Sequence, residues 1–218
     1  KLAFEQHHKS NIKHLYYVAD DKENKAIGYA QEFNIRSNRI RDYQKKNNIK
    51  RSNFLIAIGG GIVQDICCFI AGTLLRGIDW SFVPTTLLSQ ADSCIGSKSS
   101  INLGSIKNIL GTFNPPKNIW ICPLFLNTLA QREIKSGIGE ILKVHAIAGQ
   151  KTFNKLKKDF DNLADDQELL LAYTRESLMI KKHYIEIDEF DKGVRNIFNY
   201  GHSFGHAIES ATNFSIPH

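Results

Sequence analysis

The chain reads as an α/β domain built on a parallel sheet, followed by an all-α domain, and three observations predict that order. Up to about Cys122, short apolar runs alternate with helical stretches, as they do when crossover helices join parallel strands. After Pro123 no strand-like run remains, and apolar residues recur at helical spacing. Within the first part, an apolar run opens through three consecutive glycines into a helical stretch, the way a buried strand turns into a helix. The boundary therefore falls near Pro123, giving domains 1–122 and 123–218.

Leu15–Ala19, Phe54–Ile58, Trp80–Pro84 and Asn118–Cys122 are apolar runs of strand length. Asn38–Asn47 and Ile62–Leu75 read as helices between them, and the polar stretch Ser97–Ser105 reads as the longest loop, where a sheet presents loops to ligand. Gln131–Gly149, Lys151–Leu163, Glu168–Ile185 and Ser203–Thr212 then follow as consecutive helices.

With 218 residues, 42% hydrophobic and 23% charged, the composition is that of a soluble globular protein with room for one large core or two smaller ones. The net charge of +6 is modest and dispersed, with no aromatic-interleaved basic stripe, so small anions are expected as partners and nucleic acid is not. No apolar run reaches membrane-spanning length, and no signal peptide opens the chain. Cys67, Cys68, Cys94 and Cys122 show no C-x-x-C spacing. They fit small core residues in a reducing, cytoplasmic setting.

Two motifs carry chemistry. Gly59-Gly60-Gly61-Ile62-Val63-Gln64-Asp65 would let backbone N–H groups meet a phosphate at the positive end of a helix, although its spacing is not the G-x-G-x-x-G fingerprint and a plain tight turn uses glycines equally well. In Asn199–Glu209, His202 and His206 stand four residues apart, which on a helix puts both imidazoles on one face. They could ligate a metal, handle protons or hold phosphate, or be surface histidines. Glu140 and Lys143, at i and i+3, can likewise point into one site.

Taken in order, the glycine motif, Arg76-Gly77-Ile78, Val83–Ser93, Gly96-Ser97-Lys98, Lys107-Asn108, Asn127-Thr128-Leu129, Gly139–Lys143, Asp188-Glu189 and Asn199–Glu209 resemble the 3-dehydroquinate synthase family of sugar-phosphate cyclases. The resemblance runs from about Asn53 to His218. It implies a Rossmann-like nucleotide-binding domain followed by an all-α metal-binding domain. It also implies NAD as cofactor, held by Gly59, Gly60, Gly61, Asp65, Thr85, Thr86, Lys107 and Thr128, and a zinc or cobalt ion ligated by Glu140, His202 and His218. Asp92, Lys98 and Asn108 correspond to substrate-binding positions, and Lys143, Lys181, Arg195, Asn199 and His206 to catalytic ones. Arg76 corresponds to an arginine that reaches the neighbouring subunit's phosphate, which implies a homodimer.

The implied activity is that of a carbon–oxygen lyase of the shikimate pathway, in aromatic amino acid biosynthesis. A secondary alcohol is oxidised transiently, phosphate leaves by β-elimination, the ketone is reduced again, and the opened sugar closes by an aldol step. The expected substrate is 3-deoxy-arabino-heptulosonate 7-phosphate and the product 3-dehydroquinate. A cyclase acting on sedoheptulose 7-phosphate or another sugar phosphate, a glycerol dehydrogenase-type polyol dehydrogenase, and a noncatalytic binding module are the alternatives. The chain departs from the family pattern at Gly96-Ser97-Lys98-Ser99, where Gly-Gly-Lys-Thr is usual, and at Ala130 in place of proline. The best match to the family's Glu-x-x-Lys-Ser is Glu32–Ser37, with Lys25 a second candidate for its lysine. The family pattern continues past the position of His218, so the chain is expected to be part of a longer protein.

Overall fold

A computed structural model describes residues 50–103, 106–212 and 216, with backbone alone at 102, 103, 106, 107, 206 and 210. The expected strand Leu15–Ala19, the helix Asn38–Asn47, Lys25, Glu32–Ser37 and His218 lie outside the described residues. The chain divides into two compact units, one of residues through Val83 with Ser97–Trp120, the other of Pro84–Gly96 with Ile121 onward.

The first unit is α/β. Strand β1 (Phe54–Gly59) is an apolar run with little exposure on either face. It neighbours β2 (Asp79–Pro84), and β2 pairs in parallel with β5 (Asn118–Ile119) through Ser81 opposite Asn118 and Phe82 opposite Ile119. Helix α1 (Gly61–Thr73) crosses between β1 and β2 with Val63, Ile66, Cys67, Cys68, Ile70 and Ala71 buried. A near-continuous apolar β-run and a helix buried on several sides are what a covered, parallel-type sheet requires. Cys67 and Cys68 are free thiols within this core, and burial pushes Cys67 up to about 12.

The loop expected over Ser97–Ser105 is instead a strand. β3 (Lys98–Leu103) pairs antiparallel with β4 (Ile106–Phe113), Lys98 opposite Phe113 and Leu103 opposite Ile106. The alternation Ser100-Ile101-Asn102-Leu103 before Gly104-Ser105 is a hairpin signal that the polar composition obscures. Ile101 and Ser99 are buried, so this polar-looking stretch has an inner face. Two further boundaries shift. Strand β5 stops at Ile119, well short of Cys122, and α1 gives way after Thr73 to a short 3-10 turn, Leu74–Arg76.

The second unit is helical. α2 (Gln131–Ile147), α3 (Gln150–Asp159), α4 (Gln167–Ile187) and α5 (His202–Ala211) match the four expected helices to within a few residues at their ends. Asp166 caps α4 by accepting the N–H of Leu169 at 3.0 Å. Gly149, at φ 112, makes the break between α2 and α3 that a residue with Cβ would resist. The core joins Ile134, Ile138 and Ile141 of α2 with Leu156, Leu163, Leu170 and Tyr173, and also with Leu87 and Ala91. A Cβ on Gly137 would lie 2.5 Å from Leu87 Cγ, so the glycine lets α2 close onto the segment that carries Leu87. That packing is why Pro84–Gly96 belongs with the helices. No helix among the described residues is long and apolar enough to cross a membrane.

Candidate active site

In the first unit the strand-to-helix turn is shaped by its glycines, each for a different reason. A Cβ on Gly59 would fall 2.5 Å from Val63 Cγ2, so this glycine sets how closely β1 and α1 approach. Gly60 is the N-cap of α1 and offers no side-chain cap. Gly61 faces open space, for a Cβ there would meet nothing within 4 Å. The first turn of any helix leaves its N–H groups without intrahelical partners, and here no side chain on Gly59–Gly61 screens them from an approaching phosphate. Asp65, one turn on, is largely buried. Burial pushes its carboxyl up to about 7, against the lowering effect of the Ser100 backbone N–H.

Other expected residues of this unit lie apart from the glycine turn in the sequence. Arg76 is exposed and left-handed at φ 66, following Leu75 at φ 50 and preceding Gly77 at φ 113. Three successive residues with positive φ turn the chain sharply at Arg76. Asn108 is left-handed too (φ 55), at the irregularity where β4 carries extra residues against β3, and its Oδ1 accepts the Ser100 hydroxyl at 2.9 Å. Lys98 is exposed on β3, and Lys107 is described by its backbone alone.

The second unit brings the charged residues together. Glu140, on the buried side of α2, lies with Oε2 2.5 Å from Lys143 Nζ, the residue one turn later. His202, the first residue of α5 and preceded by Gly201 at φ 80, turns Nε2 toward both: 3.0 Å from Lys143 Nζ and 3.6 Å from Glu140 Oε1. Nε2 thus lies within reach of an ammonium, which only donates, and of a carboxylate, which only accepts, so the imidazole tautomer decides which of the two it bonds. Burial alone would raise the Glu140 carboxyl, but the His202 imidazole and the Lys143 charge outweigh burial and hold it down.

This donor set fits a divalent metal. A carboxylate oxygen and an imidazole nitrogen on one tetrahedral zinc, each about 2.0–2.1 Å away, stand roughly 3.3 Å apart, close to the 3.6 Å between Glu140 Oε1 and His202 Nε2. Among the described residues no third His, Cys, Asp or Glu completes a metal cluster, and the expected third ligand, His218, lies outside them. The same is true of the His206 side chain.

A second charged pair sits on a π-helical turn, Ser89–Ser93, a form enriched at functional sites. Lys181 Nζ lies 2.9 Å from Asp92 Oδ2 and donates to the Asp92 carbonyl at 2.7 Å. Both are well shielded, so this ammonium is held by a carboxylate and a carbonyl rather than by water. Thr86 starts the same segment: its Oγ1 accepts the Ser89 N–H at 3.2 Å and lies 2.7 Å from the Ser89 hydroxyl. Thr85 precedes it, partly exposed. Thr128 closes the 3-10 segment Pro123–Thr128, donating to the Phe125 carbonyl at 3.3 Å. Arg195 is buried, with Nη1 donating to the Glu189 carbonyl at 2.6 Å, while Asn199, four residues on, is exposed.

Sequence reasoning assigned no role to two participants. Asp188 accepts backbone N–H groups from the turn that leads to Arg195, and those bonds, that of Lys192 foremost, hold its carboxyl below the usual range. Gly96, at φ 93, lies against the Arg195 guanidinium. The Asp188-Glu189 pair signals the first. Nothing in the sequence alone pairs Gly96 with Arg195.

Residues 27–136 match the family model described as 3-dehydroquinate synthase N-terminal, and residues 137–218 the model described as 3-dehydroquinate synthase C-terminal. The 3-dehydroquinate synthase of Clostridium tetani is 39% identical over 209 residues, 95% of this chain and 54% of the relative. That of Dictyoglomus turgidum is 45% identical over 166 residues, 76% of this chain and 47% of the relative. The chain thus spans about half the length of the curated relatives it matches. Among solved structures, 2-epi-5-epi-valiolone synthase from Streptomyces hygroscopicus, with NAD+ and Zn2+ bound, superposes at a TM-score of 0.77 with 26% identity, covering 88% of this chain and 53% of its own. 2-Deoxy-scyllo-inosose synthase gives 0.75 at 27%, covering 93% and 55%.

Proposed function

The chain belongs to the 3-dehydroquinate synthase family, and from that premise we propose that the whole protein is a 3-dehydroquinate synthase. It converts 3-deoxy-arabino-heptulosonate 7-phosphate to 3-dehydroquinate and phosphate, with NAD and a zinc or cobalt ion. The observation that carries this reading is the Glu140–Lys143–His202 cluster, where a buried carboxylate oxygen and an imidazole nitrogen converge beside an ammonium.

Bound NAD would supply a hydride acceptor that later returns the hydride, and the metal a Lewis acid for the hydroxyl being oxidised. Glu140 and His202 would hold the metal together with His218, and the residues that the resemblance carries over as NAD contacts are Gly59, Gly60, Gly61, Asp65, Thr85, Thr86, Lys107 and Thr128. Lys143 keeps an ammonium at the metal-ligand pair and can donate a proton to an oxygen there. Lys181, aligned by Asp92, and Arg195 with Asn199 take the substrate's carboxylate, because an anion drawn out of water must regain strong donors. Lys98, Asn108 and His206 take the phosphate end. By the same resemblance, the exposed Arg76 would reach the phosphate of a second subunit in a homodimer, and the setting would be cytoplasmic.

The test is phosphate release from 3-deoxy-arabino-heptulosonate 7-phosphate by the full-length protein with NAD and zinc. Release from sedoheptulose 7-phosphate instead would move the substrate assignment within the family, and net NADH accumulation from a polyol would replace it by a dehydrogenase. Glu140→Ala should lose metal and lower turnover by more than about 100-fold, the upper end of losses seen for residues that merely support a ligand. Retention of both metal and activity would refute the metal site.

A further inference from the structure

Asp188 and Glu189 belong to the ordered series of motifs, yet the proposed reaction gives them nothing to do. Asp188 is the C-cap of α4, where an anionic side chain opposes the negative end of the helix dipole. Its partners explain why it can stand there. Oδ1 accepts the N–H of Lys192 at 2.9 Å, and Oδ2 accepts those of Gly193 at 2.8 Å and Arg195 at 3.1 Å. One carboxylate thereby closes the turn between α4 and the 3-10 segment Val194–Asn199. Asp191, inside the turn, is left-handed at φ 55, a conformation that a non-glycine residue keeps only where its surroundings enforce it.

Arg195 stands at the end of this turn and is held at both ends. Its backbone N–H goes to Asp188 and its Nη1 to the Glu189 carbonyl, while a Cβ on Gly96 would come within 2.9 Å of Nη2. The side chain is buried. The guanidinium therefore has little freedom so long as residues 188–195 keep this path.

We propose that Asp188 is a positioning residue: by gathering the N–H groups of Lys192, Gly193 and Arg195 it fixes the pose in which Arg195 meets the substrate's carboxylate. The proposal rests on the cyclase reading for the identity of that anion, and on the hydrogen bonds alone for the pose. Asp188→Ala removes every acceptor. Asp188→Asn keeps one oxygen for Gly193 and Arg195 but turns an NH2 toward the Lys192 N–H, so it should recover part of the loss.

The experiment is a double-mutant cycle in the full-length protein with Arg195→Lys, read by phosphate release. Asp188→Ala should lower kcat/KM by about 10- to 100-fold, chiefly through KM, as misplacement of a substrate-holding group does. Asp188→Asn should lie between. In the Arg195→Lys background, Asp188→Ala should cost less than about threefold more, because residues acting through one group are not additive. Fully additive losses would overturn the proposal. The NMR resonances of the Arg195 guanidinium give a second readout: slow exchange in the unsubstituted protein, fast in Asp188→Ala, and intermediate in Asp188→Asn should the alanine variant not fold. Unchanged exchange would equally overturn it. No turnover by the unsubstituted protein would sink the cyclase reading alone, since guanidinium exchange still decides whether Asp188 sets the pose.

Discussion

The two units make their functional parts from different material. In the first, the strand-to-helix turn at Gly59–Gly61 is backbone with the side chains left off, one glycine admitting Val63 and another facing open space. In the second, Glu140, Lys143 and His202, and likewise Asp92 and Lys181, are charged or titratable side chains held by one another, and Arg195 is buried against the Glu189 carbonyl. The contrast teaches what each can tolerate. A site made of backbone is damaged by adding a carbon, and a site made of buried charge by removing a partner, because the partner left behind keeps its desolvation cost.

Asp65 breaks that division, since it is a titratable side chain in the backbone-built region, and it carries the largest expected effect. Its carboxyl has an ordinary value of 3.8 and stands at about 7 in the folded chain. Between those values the folded protein keeps a proton that the unfolded chain releases. Stability is therefore fullest below about pH 4 and is lost as pH rises to about 7, by at most about 4 kcal/mol at 1.36 kcal/mol per pH unit. Asp65→Asn should remove this fall, so that its denaturant midpoint no longer drops between pH 5 and pH 8 as the parent's does. Equal slopes in variant and parent would show that Asp65 ionises freely.

The next effect sharpens the comparison by adding one carbon to each unit. Gly137→Ala puts a Cβ within 2.8 Å of three Leu87 side-chain atoms, and Leu87 is fully buried and cannot yield. Overpacking of this kind costs about 1–3 kcal/mol, so the melting temperature should fall by several degrees. Gly61→Ala meets nothing within 4 Å and removes a glycine from the first turn of α1. Its stability should hold or rise by up to about 1 kcal/mol, while NAD binding to the full-length protein weakens. A stable variant with unchanged NAD affinity would take Gly61 out of the cofactor site.

What was legible in the sequence follows the same division. Apolar periodicity located α1, β1, β2 and the four later helices, because burial demands it. The Glu140–Lys143 spacing put both side chains on one helix face, as found, since helical geometry is local. The β3–β4 hairpin was hidden because β3 is polar in composition, with Ser99 buried beside Ile101 on its inner face. The clustering of Pro84–Gly96 with the helices was hidden for another reason: Gly137 against Leu87 is a contact across fifty residues, and no local pattern announces it. Arg195 was named only through the family resemblance, and no local pattern announces its contacts with Gly96 and Asp188.

The smallest effect compares two histidines within the helical unit. His202 is partly exposed, beside a lysine and a glutamate. His145 is fully buried. Its Nδ1 donates to the Ile141 carbonyl at 2.8 Å and lies 3.5 Å from the Ser177 hydroxyl, its ring stands edge-on to Tyr173, and Glu176, itself paired with Lys155, lies 3.8 Å from Nε2. Burial lowers its pKa below the usual 6.5, outweighing the raising effects of Ile141 and Glu176, with Lys155 adding to the depression. A depressed folded value means that the unfolded chain takes up the proton first, so the stability due to neutral His145 is complete above pH 6.5 and is lost as pH falls below it. With Asp65→Asn as the background, which takes out that group's opposite dependence, urea midpoints should decline from pH 7.5 to 5 and flatten once His145→Gln is added, which keeps a neutral donor for Ile141. A decline of equal steepness in the variant would assign the acid sensitivity to another group, and the buried histidine would then be doing no more than filling space beside Tyr173.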